Sequence, residues 1–357
     1  MKPVRVGLVG CGKVGTIHAA ALYALPEAEF VGCYDAAPER AAAFAAKYGD
    51  RAFSDLAAML REVEAVVIGT PHPLHAEPAI LAAEAGVHVL VEKPLAASLA
   101  DCDAMLAAAK KSGVTLGAIS QRRFYEPVAR MKHAIDAGKL GIPSLGVFIQ
   151  YSWRDAAYYL SDPWRGKWDT EGGGVLVNQS PHQLDILLWL MGPAAEVSGQ
   201  WANVNHPGVE VDDTAVATIK FKNGGLGSIA TSVSQKPGIY TKVHIHGSNG
   251  ASVGVETDRG ATFIAGVSAI AEPPLNDLWT IPGEEHLLAE FQAADRARFA
   301  TVDATTHYHA LQIADFLCSI REKRAPLVTG TDGRAVVELF TAIYRSAKDG
   351  RTVKLSL

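Results

Sequence analysis

The chain has little cysteine, no cluster of one charge and no long apolar run. Only four cysteines occur in 357 residues, Cys11, Cys33, Cys102 and Cys318. They are too scattered for a metal-ligand spacing and too few for a disulfide framework, so a reducing, cytoplasmic setting is expected. Lysine and arginine form no run and the net charge is −5, which argues against a nucleic-acid partner. A membrane span needs about 20 apolar residues. Stretches such as Ile186-Leu187-Leu188-Trp189-Leu190-Met191 fall far short of that, and no membrane association is expected. The apolar run at the start is broken by glycines, so it does not read as a secretory signal. His244 and His246 share one face of a strand, but the sequence pairs no carboxylate or cysteine with them. His72/His75 and His307/His309 are equally unsupported, and no metal site is expected.

What is present is organised around the first thirty-five residues. Val4 to Val9 reads as a buried strand, and Gly10-Cys11-Gly12-Lys13-Val14-Gly15 as a tight turn opening a helix. Phe30 to Tyr34 forms a second strand that ends in Asp35. Each glycine has a separate task. Gly10 turns the chain, Gly12 clears the approach of a pyrophosphate, and Gly15 lets helix and sheet pack closely. The helix N-terminus favours phosphate, and Asp35 stands where a carboxylate takes ribose hydroxyls. The pattern predicts a dinucleotide site.

The alternation of strand and helix then continues. Helices are expected over Pro38 to Lys47, from a Ser54 cap to Leu60, over His75 to Ala85 and over Ser98 to Lys111. Strands are expected at Ala65–Gly69, Val87–Val91 and Val114–Ile119, giving an open parallel sheet. The loop after Gly69 (Thr70, Pro71) falls at the ligand side of such a sheet. From Phe124 the period changes. After a helix over Pro127 to Ala137, period-two runs dominate: Val147–Tyr151, Ala215–Ile219, Leu226–Val233 and Lys242–His246. Asn223-Gly224-Gly225 is read as a hairpin turn. Further helices are expected near Pro181–Met191, Glu284–Phe299, Tyr308–Arg321 and Gly333–Lys348. The expected fold is an α/β Rossmann N-terminal domain (1–122) plus an α+β C-terminal domain (123–357) with a large, mostly antiparallel open sheet.

Two places carry candidate chemistry. Lys93 follows a buried strand and precedes Pro94, so it is held rather than loose, and it suits a hydrogen-bond donor or proton relay. The run Gly172-Gly173-Gly174 leads through Asn178 to Pro181 and His182. Asn178 and His182 are four apart and could meet if the turn is helical. An imidazole is suited to moving an alcohol proton near neutrality, and Asp185 could orient it. Upstream, Trp153, Arg154, Tyr158, Tyr159, Trp164, Arg165 and Trp168 mix aromatic faces with hydrogen-bonding groups, as a sugar ring requires.

The glycine loop, Glu92-Lys93-Pro94, Gln121-Arg122-Arg123-Phe124, the GGG…His182…Asp185 block and Arg324 to Arg334 together resemble the glucose–fructose oxidoreductase/inositol dehydrogenase (Gfo/Idh/MocA) family over nearly the whole chain. The resemblance implies a Rossmann domain plus an open α/β domain whose sheet often forms an oligomer interface. It also implies that Lys93 contacts substrate and nicotinamide, and that His182 is the acid/base. Many members carry aspartate four residues before the histidine, whereas this chain has Asn178. An amide takes no proton, yet it can hydrogen-bond a substrate hydroxyl.

The expected cofactor is NAD, held by Gly10, Cys11, Gly12, Lys13, Val14, Gly15, Asp35, Thr70, Pro71, His75, Glu92, Lys93 and Gln121. Asp35 would repel a 2′-phosphate, and Arg40 is expected to face solvent. Substrate residues are expected at Lys93, Arg122, Tyr151, Trp153, Arg165, Asn178 and His182. The expected reaction is hydride transfer between NAD and a secondary alcohol of a sugar or cyclitol. The rivals are an NAD-dependent glycosidase and a sugar-sensing regulator without turnover. The strands of the second domain alternate poorly, which suggests two covered sheet faces and a homodimer or homotetramer.

Overall fold

The computed structural model describes residues 2–48, 51–258, 263–264, 267–268 and 272–356. The chain divides into two compact units, Met1–Gln121 with Thr305–Val337, and Arg122–Ala304 with Glu338–Leu357.

The first unit is built on six parallel strands: β1 (Val4–Val9), β2 (Ala28–Tyr34), β3 (Ala52–Phe53), β4 (Ala65–Ile68), β5 (His88–Val91) and β6 (Leu116–Ala118). Their order is β3-β2-β1-β4-β5-β6. The order reverses between β1 and β4, and in such sheets ligands bind beyond the carboxyl ends of the strands at that point. Val6, Leu8, Val67 and Leu90 are buried, as strands covered on both faces require. The short helix Leu56–Leu60 is capped by Asp55, whose carboxylate accepts from Ala57 and Ala58. Ser54 is therefore not the cap. The adjacent acid takes that place because a carboxylate can accept both amide hydrogens at once.

The expected boundary after residue 122 does not hold for residues 305–337, which belong to this unit. In the helix Ala304–Glu322, Ile313, Phe316 and Leu317 recur at helical spacing and enter the same core as Val6, Leu8 and Leu90. The Gln312 amide donates to the Ala118 carbonyl at 2.8 Å and accepts from Ser120 N at 2.9 Å. A compact core thus draws on a distant stretch of chain.

The second unit contains β7 (Pro143–Tyr151), β8 (Ala194–Ala202), β9 (Thr214–Phe221), β10 (Leu226–Ser232), β11 (Tyr240–Gly247), β12 (Ser252–Glu256), the small pair β13 (Phe263–Ile264) and β14 (Val267–Ser268), β15 (Leu275–Trp279) and β16 (Val353–Lys354). Eight of these form one sheet in the order β15-β12-β11-β7-β10-β9-β8-β16. Only the β7–β10 pair is parallel. Asn223-Gly224-Gly225 turns β9 into β10, with Gly224 at φ +88°. The helix Pro181–Met191 packs on β7 and β11. Gly146 permits this approach, since a Cβ there would meet Leu187 and Met191 at 2.7 Å.

β9 alternates strictly. Ala215, Ala217, Ile219 and Phe221 are buried, while Val216, Thr218 and Lys220 are exposed. The small apolar alanines fill the packed face and made the pattern look uniform in sequence. Within this chain the other face is open, with Leu145, Val216 and Leu226 at 40%, 49% and 57% exposure. Among the described residues, no helix is long and apolar enough to cross a membrane.

Candidate functional site

In the first unit the glycine loop follows β1 and opens the helix Lys13–Ala24. Gly10 N donates to Tyr34 O at 2.8 Å and has φ +99°. A Cβ on Gly15 would strike the Gly10 carbonyl oxygen, so the helix starts hard against the turn. A Cβ on Gly12 would meet nothing within 4 Å. The helix has no side-chain cap and no acid in its first turn. An open surface over uncapped N–H groups fits a pyrophosphate. Asp35 is buried at the end of β2, where Oδ2 accepts from Cys11 N at 2.9 Å and Oδ1 from Ala37 N at 2.9 Å. Arg40 does not simply face solvent. It is 59% exposed, yet its guanidinium lies 3.5 Å from Asp35, because the helix Pro38–Tyr48 begins beside that carboxylate. The Cys11 thiol is hydrogen-bonded to Cys33 and buried, and both effects raise its pKa. It acts as core, while its backbone N–H does the orienting.

The parallel register brings Gly10, Thr70 and Lys93, which follow β1, β4 and β5, to one edge of this sheet. His75 braces that edge. Its Nε2 meets Thr70 O at 2.8 Å and its Nδ1 meets Pro94 O at 3.0 Å. It is 1% exposed and burial lowers its pKa. The side chain therefore ties two loops together. Pro71 is exposed and Thr70 half-buried, while Gln121 is buried at the end of the unit.

Glu92, expected among the cofactor residues, stands at the centre of this edge. Its Oε1 meets His18 Nε2 at 2.9 Å, and its Oε2 accepts from Lys93 N at 3.0 Å. His309 packs edge-on against His18, with ring centroids 5.6 Å apart. Burial pushes the Glu92 carboxyl up, but the His18 hydrogen bond and the charges of His18, His309 and Lys93 bring it to about 2. Burial, with His18 and Lys93, lowers His309 to about 4. Sequence spacing left His18 unnoticed and His309 unsupported, because this partnership joins three distant segments. Lys93 itself is half-buried and precedes a cis peptide bond to Pro94.

In the second unit the helix Trp168–Glu171 ends at Gly172, whose φ is +77°. A Cβ on Gly173 would strike Tyr344 Oη, and one on Gly174 would strike the Asp212 carbonyl oxygen. The close approach that the glycine run permits is thus to the protein's own chain. Asp212 Oδ1 accepts from Gly174 N and from Tyr344 Oη, each at 2.6 Å, and Oδ2 accepts from Leu176 N at 3.2 Å. Burial raises the Asp212 pKa against these bonds. A wide turn, Val175–Gln179, follows, then Ser180 in helical geometry, then the helix Pro181–Met191. Asn178 lies in the wide turn and donates through Nδ2 to Glu171 Oε1. His182 is the second residue of the helix and is 7% exposed. Asp185 receives Arg123 on both oxygens at 2.6 and 2.7 Å, so it anchors the helix through a buried ion pair.

The expected substrate residues scatter within this unit. Arg122 pairs with Asp258 and donates to Thr257 at 3.3 Å. Arg165 donates to Tyr158 Oη at 2.5 Å and lies over its ring, and Gln179 donates to the same oxygen at 2.7 Å. That group sits in the wide-turn region, one residue from Asn178. Trp153 lies beside His206 and Lys236. Tyr151, also expected at the substrate, lies on a different face of its strand from Gln150. Gln150 points to the face where Ser180 begins the His182 helix, and strand alternation sends Tyr151 to the other face, where it packs against Tyr240. The paired histidines are also corrected. His244 meets both oxygens of Asp277 at 3.0 Å, and Lys242 lies 2.8 Å from the same carboxylate. The partner comes from β15, which no sequence spacing could reveal. Among the described residues there is no group of three or more potential metal ligands.

Comparison with known proteins bears on the whole chain. Residues 4–119 match the oxidoreductase family model for the NAD-binding Rossmann fold of GFO/IDH/MocA proteins, and 128–253 match the GFO/IDH/MocA C-terminal domain. The chain is 28% identical to myo-inositol 2-dehydrogenase of Thermotoga maritima, covering 99% of this chain and 98% of that protein. It is 31% identical to levoglucosan dehydrogenase of Pseudarthrobacter phenanthrenivorans, over 71% and 74% of the two chains. The solved WlbA dehydrogenase of Bordetella pertussis, in complex with NADH and UDP-GlcNAcA, superposes with a TM-score of 0.87 at 30% identity, covering 100% of this chain and 99% of that one. With both domains matched in order, the chain belongs to the GFO/IDH/MocA family and is an NAD-binding oxidoreductase.

Proposed function

We propose that the protein transfers a hydride between a secondary alcohol of a sugar or cyclitol, of pyranose or inositol type, and NAD. The observation that carries this reading is the shared edge of the first sheet. The open glycine loop, Asp35 and a half-buried Lys93 stand together there, with Glu92 fixing the backbone of Lys93. NAD supplies the hydride acceptor when bound. Gly10 to Gly15 hold its pyrophosphate and Asp35 its ribose, and a carboxylate there disfavours the 2′-phosphate of NADP. Lys93 donates a hydrogen bond to the alcohol oxygen, His182 takes its proton, and Asn178 positions a neighbouring hydroxyl. Full-length similarity to a myo-inositol 2-dehydrogenase supports this substrate class.

A panel of sugars and cyclitols with NAD, followed by NADH absorbance and thermal shift, tests the reading. Turnover of at least one polyol is expected. Hydrolysis of a glycoside without net NADH would replace the reading with a glycosidase, and binding without turnover would replace it with a sensor. The four cysteines are free, which suits a reducing cytoplasm. The open sheet face with Leu145, Val216 and Leu226 supports a homodimer or homotetramer. Light scattering that finds only a 37.8 kDa species at micromolar concentration would reject it.

A further inference from the structure

Glu171 lies buried, 1% exposed, at the end of the short helix before the glycine run. Its Oε2 accepts from Gly166 N at 2.5 Å and its Oε1 accepts from Asn178 Nδ2. An ionised carboxylate can only accept, whereas a primary amide has a donor end and an acceptor end. With Glu171 ionised the pair has one consistent orientation, in which the NH₂ of Asn178 faces Glu171 and its carbonyl oxygen faces away. The backbone around it is fixed as well. Asn178 N donates to Gly174 O at 2.9 Å, and Gly173 and Gly174 are seated against Tyr344 and Asp212.

We propose that Glu171 is a positioning residue. It turns Asn178 so that an uncharged acceptor oxygen is presented to a substrate hydroxyl, at the position where many family members carry an aspartate. This rests on the hydroxyl-binding role given to Asn178 above. Position 178 thereby keeps the hydrogen-bonding sense of an aspartate without its charge, and the charge sits one side chain further back.

Glu171→Gln tests this directly. A glutamine has one acceptor oxygen for two donors, and the Gly166 N–H cannot turn. The oxygen stays with Gly166, the new NH₂ faces residue 178, and the Asn178 amide flips to present a donor. Turnover should fall about a hundredfold, as a misplaced contact costs, while NAD affinity stays near that of the unaltered protein and melting is no lower. Adding Asn178→Asp should then recover most of the loss, because an aspartate accepts from the introduced glutamine amide and again presents an oxygen. Loss of a merely structural contact would not be repaired by that second change. Near-full activity of Glu171→Gln, or a double variant no better than Glu171→Gln, overturns the proposal.

Asn178→Asp alone gives a second measurement, which applies even if Glu171→Gln does not fold. It sets two carboxylates against each other within reach of Arg165, Asp212, Tyr158, Tyr159 and Tyr344. The pair must share a proton. Its activity relative to the parent should fall as pH rises, and a flat ratio overturns the proposal. If no polyol is turned over by the parent protein, the functional reading has failed separately. The orienting contact is then judged on stability. Asn178→Asp must lose stability relative to the parent with rising pH, and a constant difference overturns it.

Discussion

Glu92 in the first unit and Glu171 in the second are both buried carboxylates, each bonded to a residue assigned to the reaction. Burial pushes both carboxyls up, and their surroundings then diverge. Glu92 faces His18, His309 and the Lys93 charge, and its pKa ends at about 2. Glu171 faces the Gly166 N–H and a neutral amide, has help from Arg165 and opposition from Asp212, and its pKa stays raised. One acid is an easily kept anion that holds an imidazole and a backbone N–H, and the other is a costlier anion that orients a dipole. The same side chain thus serves electrostatics in one unit and hydrogen-bond direction in the other.

The largest expected effects come from removing what these acids serve. Lys93→Met and His182→Ala should each lower turnover about a hundredfold or more, since acid/base groups contribute 10²–10⁴-fold. NAD binding, measured by fluorescence, should survive both because the glycine loop is untouched. If His182→Ala keeps near-full activity, the proton must leave through the first unit alone.

The two acids should also pull stability in opposite directions with pH. The folded-state value of Glu92 lies below the unfolded 4.5. Its stabilisation is therefore complete above pH 4.5 and disappears as the pH falls toward 2. The size is about 3 kcal/mol at about 1.36 kcal/mol per unit. Glu92→Gln should lose that slope in chemical denaturation. Glu171 has the opposite sign. Its folded value is raised, so its ionisation costs stability that is absent below pH 4.5 and grows as the pH rises through the folded value. Glu171→Gln should gain on the parent as pH rises. Parallel slopes for the two variants would remove the contrast.

A smaller effect is expected at the cofactor's ribose. Asp35→Ser should weaken NAD binding about ten- to a hundredfold, since a hydrogen bond to a charged group contributes about 1.5–3 kcal/mol. It should narrow the gap to NADP, because Arg40 loses its carboxylate partner. Titration with both cofactors reads this, and an unchanged preference would move the discrimination elsewhere.

What was legible in the sequence follows a physical divide. The parallel sheet, the glycine loop, Asp35 and the change of period near Phe124 are local patterns, written in spacing and propensity. The core contribution of Ile313, Phe316 and Leu317 was not legible, and neither was the bond between His18 and Glu92 or between His244 and Asp277. These join segments far apart in the chain, and no periodicity encodes a partner. Tyr151 is a subtler case. Its neighbourhood in sequence suggested the substrate region, while the strand period places it on the face opposite Gln150. The glycine run was legible as a close approach, but what it approaches, Asp212 and Tyr344, was not.

That last contact has a consequence for how the protein is made. Synthesis runs from the N-terminus, and domains commonly fold as they emerge. Here the turn carrying Asn178 is made well before the hydroxyl of Tyr344 that braces Asp212 against Gly174. The first unit waits as well, because its core lacks Ile313, Phe316 and Leu317 until long after its strands are made. Both units are therefore completed by residues far downstream of most of their strands. A nascent protein halted before Ile313 holds β1 to β15 and its glycine loop, with neither unit complete and the Asn178 turn unclamped.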